Sequence, residues 1–394
     1  SSVSVITISL NHIPKAFQAK NPMREPSYPA GKTQAFTDRS TMPHRPILAK
    51  QLMPLLRALL SPLFGLLLSA CQPPETSLSG TIQGTGYSLK LVTRGLDFDP
   101  NEFKTEVDAT FKLIDEQLSN WRPDSEISRF NAQKDTEWHT LPASVIRLVQ
   151  VAKGIHQLSG GCYDLTVKPL FDLWGFSKHE AAIPSPEAIK STLKHIGLNR
   201  IEVDADHLKL RKKDPLVEIS LDSIAQGYTV SVLAHLAEQR GITNYLIEVG
   251  GEMRVRGNKA DGSHWHVAVE KPTPMSQQIQ KILEIREAEG TAVMTSGTYR
   301  NFFEAKGKRF SHILDPRTGQ PVDHHLLSVT LLHEDPTLAD AWSTALLCVG
   351  EKEALRISEA ENLKTLLIYE EDGQLKETMS SAFKASPEGQ TKAP

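Results

Sequence analysis

The chain has 394 residues, of which 39% are hydrophobic and 23% charged, a composition typical of a globular protein with a large core. Its net charge of -3 offers no electrostatic attraction for nucleic acid, and no basic stripe with interleaved aromatic residues is present. The composition therefore argues against a nucleic-acid partner.

The N-terminal region differs from the rest of the chain. Residues 1–41 are polar and lack periodicity, so we treat them as an uncertain leader or as a gene-model extension upstream of a start at Met42. Residues 42–70 combine a basic segment, an apolar run and small residues before Cys71, which predicts a secretory signal peptide rather than a buried apolar helix. Residues 71–84 are rich in Pro, Ser, Thr and Gly and predict a tether.

The Leu-Ser-Ala-Cys ending of this segment resembles a bacterial lipobox, which implies that Cys71 carries lipid. Gln72 follows the cysteine where an Asp would favour the inner membrane, so we expect a periplasm-facing lipoprotein of the bacterial cell envelope, at the outer membrane. Cys162 and Cys348 both lie in apolar surroundings, which favours two separate buried thiols over a disulfide.

Periodicity and capping residues predict an α+β domain over residues 85–379, followed by a disordered tail over 380–394. No regular βαβ repeat and no dinucleotide-binding fingerprint is present. Helices are predicted at 100–118, 143–158, 186–196, 223–240 and 337–349, and strands at 201–203, 207–210, 216–220, 245–249, 265–270, 280–285, 326–332 and 364–369.

Residues 296–344 hold the side chains best suited to chemistry. Asp340 and Thr344 are four apart and share one face of a predicted helix, where a carboxylate and a hydroxyl form the oxygen-rich site that Mg²⁺ prefers. The alternative is a plain amphipathic helix. The unperturbed pKa of a histidine side chain suits a general base at neutral pH, which makes His312 a candidate for that role. Asp315 has two possible roles: it orients His312 or the metal site, or it simply belongs to a tight turn.

Five blocks resemble, in order, the ApbE family of FAD:protein FMN transferases. They are Leu-Ser-Asn-Trp-Arg-Pro-Asp-Ser-Glu at 118–126, Gly-Gly-Cys-Tyr-Asp at 160–164, Ser-Leu-Asp-Ser-Ile-Ala-Gln-Gly at 220–227, Glu-Val-Gly-Gly-Glu at 248–252, and the segment from Ser-Gly-Thr-Tyr-Arg at 296–300 through His312 to Thr344. The resemblance implies an ApbE or T-fold-like arrangement of mixed sheets with packed helices. It also implies Mg²⁺-dependent transfer of FMN from FAD to a Thr or Ser hydroxyl of a partner protein.

The resemblance also implies roles for single residues. FAD would be bound by Trp121, Cys162, Tyr163, Asp164, Ser220, Gln226 and His312; Mg²⁺ by the Ser223 carbonyl, Asp340 and Thr344; and His312 would take the acceptor's proton. Family members usually have Asp in place of Ser220 and often Lys in place of Gln226, so these two contacts are in doubt, and Asp222 is a candidate substitute.

The implied partners are flavin-bearing subunits of Nqr- or Rnf-type membrane redox complexes. Two alternatives keep the same site: an Mg²⁺-dependent FAD pyrophosphatase, in which water replaces the acceptor hydroxyl, and a non-catalytic periplasmic FAD-binding lipoprotein. The substitutions at Ser220 and Gln226 favour the latter, whereas His312, Asp340 and Thr344 argue against it.

Overall fold

A computed structural model describes residues 75–82, 84–177, 182–273, 278–299, 301–305 and 307–390. The predicted leader, signal peptide and lipidated Cys71 lie outside these residues. In this described part of the chain, no helix has the length and hydropathy needed to cross a bilayer.

The described residues form nine α-helices, whose bounds follow. They are α1 (Pro100–Leu118), α2 (Glu126–Ala132), α3 (Ala143–Leu158), α4 (Lys168–Leu173), α5 (Pro186–Leu193), α6 (Ala225–Gln239), α7 (Pro336–Val349), α8 (Glu351–Ala360) and α9 (Ser381–Ala385). Asp99 caps α1 through its side chain, and Pro100 occupies the first turn, as the sequence predicts.

The same residues form seventeen strands. They are β1 (Glu75–Ile82), β2 (Thr85–Val92), β3 (His139–Thr140), β4 (Ile201–Asp204), β5 (Lys209–Lys212), β6 (Tyr245–Val249), β7 (Glu252–Arg256), β8 (Trp265–Glu270), β9 (Ile279–Ile285), β10 (Thr291–Gly297), β11 (Phe302–Ala305), β12 (Lys308–Ser311), β13 (Leu314–Asp315), β14 (Gln320–Pro321), β15 (Leu326–His333), β16 (Lys364–Glu371) and β17 (Gln374–Met379).

Eight strands form one antiparallel sheet in the order β1-β2-β6-β7-β10-β15-β16-β17. Helices α6 and α7 pack against each other and against this sheet. The opposite face is covered by the β8–β9 hairpin, because Trp265, Val267 and Leu283 pack on sheet residues such as Val293 and Leu366. The predicted α+β class is confirmed.

Helical periodicity located the larger helices well. α3 has the predicted bounds, and the apolar stripe of α1 (Phe103, Val107, Phe111, Ile114, Leu118) is buried along its whole length. The predicted 201–210 hairpin is confirmed as β4 and β5, in register from Ile201↔Lys212 to Asp204↔Lys209.

The predicted strand at 216–220 is wrong. The segment belongs to no strand of the described residues, and its backbone is held mainly by side chains, together with a bond from the Ser220 N–H to the Leu165 carbonyl oxygen at 2.7 Å. The Asn131 amide donates to the Ile219 carbonyl at 2.8 Å and accepts from the Ile219 N–H at 2.8 Å. Asn120 donates to the same carbonyl and accepts from Leu221 N–H. The third strand of that small sheet is β3.

Both ends of the predicted domain are longer than expected. Residues 75–82 of the predicted tether form β1, which pairs with β2 from Glu75↔Val92 to Ile82↔Thr85. Few of its side chains are buried, so hydropathy gave no signal.

Residues 380–390 of the predicted tail are ordered because Phe383, fully buried, joins the core beneath the sheet, and Ser380 caps α9. Residues 364–369 are not the last strand, since β17 follows.

Candidate active site

The site begins where α6 and α7 touch. Asp340, on the second turn of α7, is only 5% exposed, and its Oδ2 accepts the Gly227 N–H at 2.8 Å. A Cβ at Gly227 would lie 2.3 Å from the Pro336 carbonyl oxygen and 2.5 Å from the Asp340 Cβ. Only glycine therefore permits this contact.

Burial dominates the electrostatics of Asp340. It raises the pKa of the carboxyl to about 7, although the Gly227 N–H bond opposes the shift. Among the described residues no Lys or Arg forms an ion pair with it. A buried carboxylate that lacks a cationic partner is well suited to a metal ion.

Thr344 lies one turn further along α7, on the same face as Asp340. Its Oγ1 is 3.1 Å from the Ser296 Oγ, and the Ser296 Oγ is 2.7 Å from the Ser343 Oγ. Ser296 stands near the end of β10, so the sheet and the helix meet at these hydroxyls. The carboxylate and the hydroxyl predicted to bind Mg²⁺ are thus on one face of one helix.

Ser223 and Tyr163 lie on the α6 side of the site. The Tyr163 hydroxyl is 3.4 Å from the Ser223 carbonyl oxygen and 3.1 Å from the Ser223 Oγ. Burial raises the pKa of Tyr163, and the nearby charge of Asp340 adds to the rise. Tyr163, Ser223 and Asp340 are therefore neighbours, and the residues present fit an Mg²⁺ site made of a carboxylate, a hydroxyl and a carbonyl.

His312 follows β12 and is half-buried. Its Nδ1 is 2.9 Å from the Asn301 carbonyl oxygen, and because a carbonyl only accepts, Nδ1 carries the proton. Burial lowers the pKa of the ring. His312 is therefore neutral at pH 7 with Nε2 unprotonated, the form that a general base requires.

Asp315 belongs to a tight turn and does not bind His312. Its carbonyl accepts the Gly319 N–H at 2.7 Å, and its carboxylate binds the Arg317 side chain at 2.8 Å. The turn interpretation is confirmed.

Cys162 and Cys348 form a disulfide with a Cα–Cα distance of 5.9 Å, so the prediction of two separate thiols is wrong. The Asp315 carboxylate lies within 4.8 Å of both sulfurs. The cysteines are 186 residues apart, and nothing local to either signals that the loop before Tyr163 meets the last turn of α7.

Other predicted flavin contacts occupy different settings. Trp121 is 70% exposed on the loop between α1 and α2. The buried Asp164 carboxylate accepts from the Thr166 N–H and hydroxyl and from Leu198 N–H, which is a structural role. Ser220 is half-buried, and its hydroxyl accepts the N–H of exposed Asp222 at 3.4 Å.

Gln226 lies in the first turn of α6, over the glycine pair of the β6–β7 turn. A Cβ at Gly250 would lie 2.2 Å from the Gln226 Nε2, and Gly250 has a φ of +62°. The positive φ favours glycine at this position, and a larger residue would also make the Gln226 side chain move. Arg300 lies outside the described residues. Sequence reasoning assigned no role to Ser343, which contacts Ser296 beside Thr344, or to Asn120 and Asn131, which hold the backbone of residues 219–221, because each of these contacts joins distant segments.

A sequence model of the ApbE family matches residues 83–367, which span every element of this site. The chain belongs to the ApbE family. A relative from Vibrio cholerae named FAD:protein FMN transferase is 35% identical over 323 residues, covering 81% of this chain and 95% of the relative. One of the same name from Escherichia coli is 34% identical over 315 residues, covering 79% and 88%.

Solved ApbE structures have the same fold. The flavin transferase ApbE from Vibrio cholerae superposes with a TM-score of 0.72 at 34% identity, covering 79% of this chain and 98% of that one. The apo flavinyl transferase ApbE from Pseudomonas stutzeri gives 0.72 at 34% identity, covering 79% and 96%. The predicted family and its ApbE-like fold are confirmed.

Proposed function

We propose that this ApbE family member is an FAD:protein FMN transferase that requires Mg²⁺ and attaches FMN to a Thr or Ser hydroxyl of a partner protein. The observation that carries the proposal is the pairing of Asp340 and Thr344 on one face of α7 in a chain that also presents a neutral histidine. The names of the relatives support the transferase activity and FAD as its substrate.

The flavin end of FAD would stack on Trp121, whose exposed ring adds affinity without demanding exact hydrogen bonds. Tyr163, Ser220 and Gln226 would line the rest of the flavin pocket. Cys162 and Asp164 would hold the wall of this pocket in place. Cys162 is bonded to Cys348, and the Asp164 carboxylate accepts hydrogen bonds from Thr166 and Leu198.

Asp340, Thr344 and the Ser223 carbonyl would hold Mg²⁺, which would supply positive charge to stabilise the pyrophosphate and the AMP leaving group. Burial keeps Asp340 in a water-poor setting where a charge pair is strong. The Gly227 N–H binds one carboxylate oxygen of Asp340, which leaves the other oxygen available to bind the metal.

His312 would act on the acceptor. With Nδ1–H held by the Asn301 carbonyl, Nε2 is free to accept the proton of the incoming hydroxyl. The attacking oxygen then forms the new bond to phosphorus, the bond to the AMP oxygen breaks, and FMN ends on the acceptor.

The rival activities depend on what reaches the phosphorus. Water in place of the acceptor hydroxyl gives a pyrophosphatase that releases FMN and AMP. A carrier would bind FAD and leave it whole, and this alternative is favoured by Ser220 and Gln226, which replace the Asp and Lys common in the family. Asp340, Thr344 and the His312 tautomer favour turnover instead.

We also propose the location and partners of the enzyme. The signal-like segment at 42–70 and Cys71 support a lipid-anchored protein facing the periplasm, at the outer membrane. The Cys162–Cys348 disulfide supports an oxidising compartment. Flavin-bearing subunits of Nqr- or Rnf-type complexes are the proposed acceptors. Lipid labelling that persists in Cys71→Ser would refute the anchor.

Chromatography of the reaction products distinguishes the three activities. The protein is incubated with FAD and Mg²⁺, with and without an Nqr- or Rnf-type acceptor subunit, and AMP, free FMN and FAD are quantified. AMP that appears only with the acceptor, without matching free FMN, supports the transferase. Equal AMP and free FMN without acceptor supports the pyrophosphatase, and intact FAD supports the carrier.

A further inference from the structure

Three hydroxyls and one carbonyl form a continuous hydrogen-bonded chain beside Asp340. Thr344 Oγ1 is 3.1 Å from Ser296 Oγ, which is 2.7 Å from Ser343 Oγ. The Ser343 hydroxyl donates to the Asp340 carbonyl oxygen at 2.9 Å. The chain joins the end of β10 to the turn of α7 that holds both side chains of the proposed metal site.

The last bond of the chain fixes the direction of the others. A carbonyl only accepts, so Ser343 gives its single proton to Asp340 and must accept from Ser296. Ser296 has then used its own proton and must accept from Thr344. The Thr344 hydroxyl hydrogen therefore points to Ser296, which leaves its oxygen lone pairs free.

We infer that Ser296 and Ser343 are positioning residues that turn the Thr344 hydroxyl oxygen towards a divalent cation. A cation is attracted by lone pairs and repelled by a hydroxyl hydrogen, so the orientation matters to binding. Ser343 is fully buried, so water cannot replace it in the chain. This inference rests on the proposed function, because it takes Thr344 as a ligand of the metal.

The experiment measures Mn²⁺ binding by electron paramagnetic resonance on the whole protein without FAD, so that activity is not the readout. Ser296→Ala should bind Mn²⁺ roughly 10-fold more weakly, the lower end of the usual loss when a group that orients a ligand is removed. Ser343→Ala should weaken binding too, because Ser296 then turns its proton towards Thr344. Ser296→Thr keeps a hydroxyl and should retain most of the affinity.

Thr330→Val is the matched control. The hydroxyls of Thr295 and Thr330 are 3.0 Å apart and join β10 to β15, the strand that pairs with it, so this variant removes a comparable hydroxyl pair away from α7. It should bind Mn²⁺ like the wild type. Thermal unfolding of each metal-free variant confirms that it is folded.

Three results would overturn the inference in distinguishable ways. If Thr344→Val loses Mn²⁺ and Ser296→Ala does not, the metal site stands and the orienting chain is wrong. If Thr344→Val binds Mn²⁺ like the wild type, the metal site of the proposed function fails as well. Equal losses in Ser296→Ala and Thr330→Val would reduce the effect to general destabilisation.

Discussion

Gly227 donates its N–H to the Asp340 carboxylate at 2.8 Å, and the contact exists because Gly227 has no side chain. The bond joins α6 and α7 at Asp340, the buried acid of the proposed metal site. The position of Asp340 thus depends on the distance between two helices.

Gly227→Ala tests this dependence. The added Cβ would collide with the Pro336 carbonyl, so the helices must separate and we expect a loss of about 1–3 kcal/mol in unfolding free energy, together with weaker Mn²⁺ binding. Gly86→Ala is the control, because a Cβ there would meet its nearest atom only at 3.9 Å. Chemical unfolding measures both; equal stability of the two variants would contradict the close contact.

Asp340→Asn should abolish metal binding yet stabilise the metal-free protein at pH 8. The raised pKa means that the fold favours the neutral acid, so the contribution of Asp340 to stability is complete below about pH 4 and is lost as pH rises to about 7. Asn stays neutral and still accepts the Gly227 N–H. Melting curves at pH 5 and pH 8 should show the advantage of Asn growing with pH; a constant difference would refute the shifted pKa.

The same pKa makes metal binding pH-dependent in the wild type. Mg²⁺ requires the ionised carboxylate, so its affinity should fall as pH drops below about 7, while protons are released on binding. Calorimetry in buffers of different ionisation enthalpy counts those protons. Binding that is flat between pH 6 and 8 would contradict a buried, neutral Asp340.

His312→Asn should separate binding from turnover. The Asn amide can donate to the Asn301 carbonyl as Nδ1–H does, but it has no basic nitrogen. Transfer should fall roughly 100-fold or more, with FAD affinity nearly unchanged. Equal losses of both would make His312 a binding residue.

Trp121→Ala should weaken FAD binding roughly fivefold without changing stability. The ring is 70% exposed, so its removal leaves no cavity, whereas stacking on the flavin is worth about 1 kcal/mol. Trp138→Ala is the control, since that indole is also exposed but lies 4.7 Å from the Arg211 guanidinium. Fluorescence titration with FAD measures both; matching affinities for the two variants would remove Trp121 from the site.

Sequence reasoning succeeded where the signal was local. The apolar spacing of α1, the cap at Asp99 and the Asp340–Thr344 spacing all depend on neighbours within two turns. It failed where distant segments meet. The Cys162–Cys348 bond, the Asn131 clamp on Ile219 and the Ser296–Ser343 contact each join residues 47 or more apart. β1 was missed because an exposed edge strand has little hydrophobic pattern to read.

The intact mass of the acceptor subunit, taken after incubation with this protein, FAD and Mg²⁺, tests the central claim most directly. We predict a gain of one FMN group that is prevented by EDTA and by Asp340→Asn, and that disappears when the acceptor Thr is replaced by Val. An acceptor whose mass stays unchanged, under conditions in which the Vibrio cholerae relative labels it, would contradict the account.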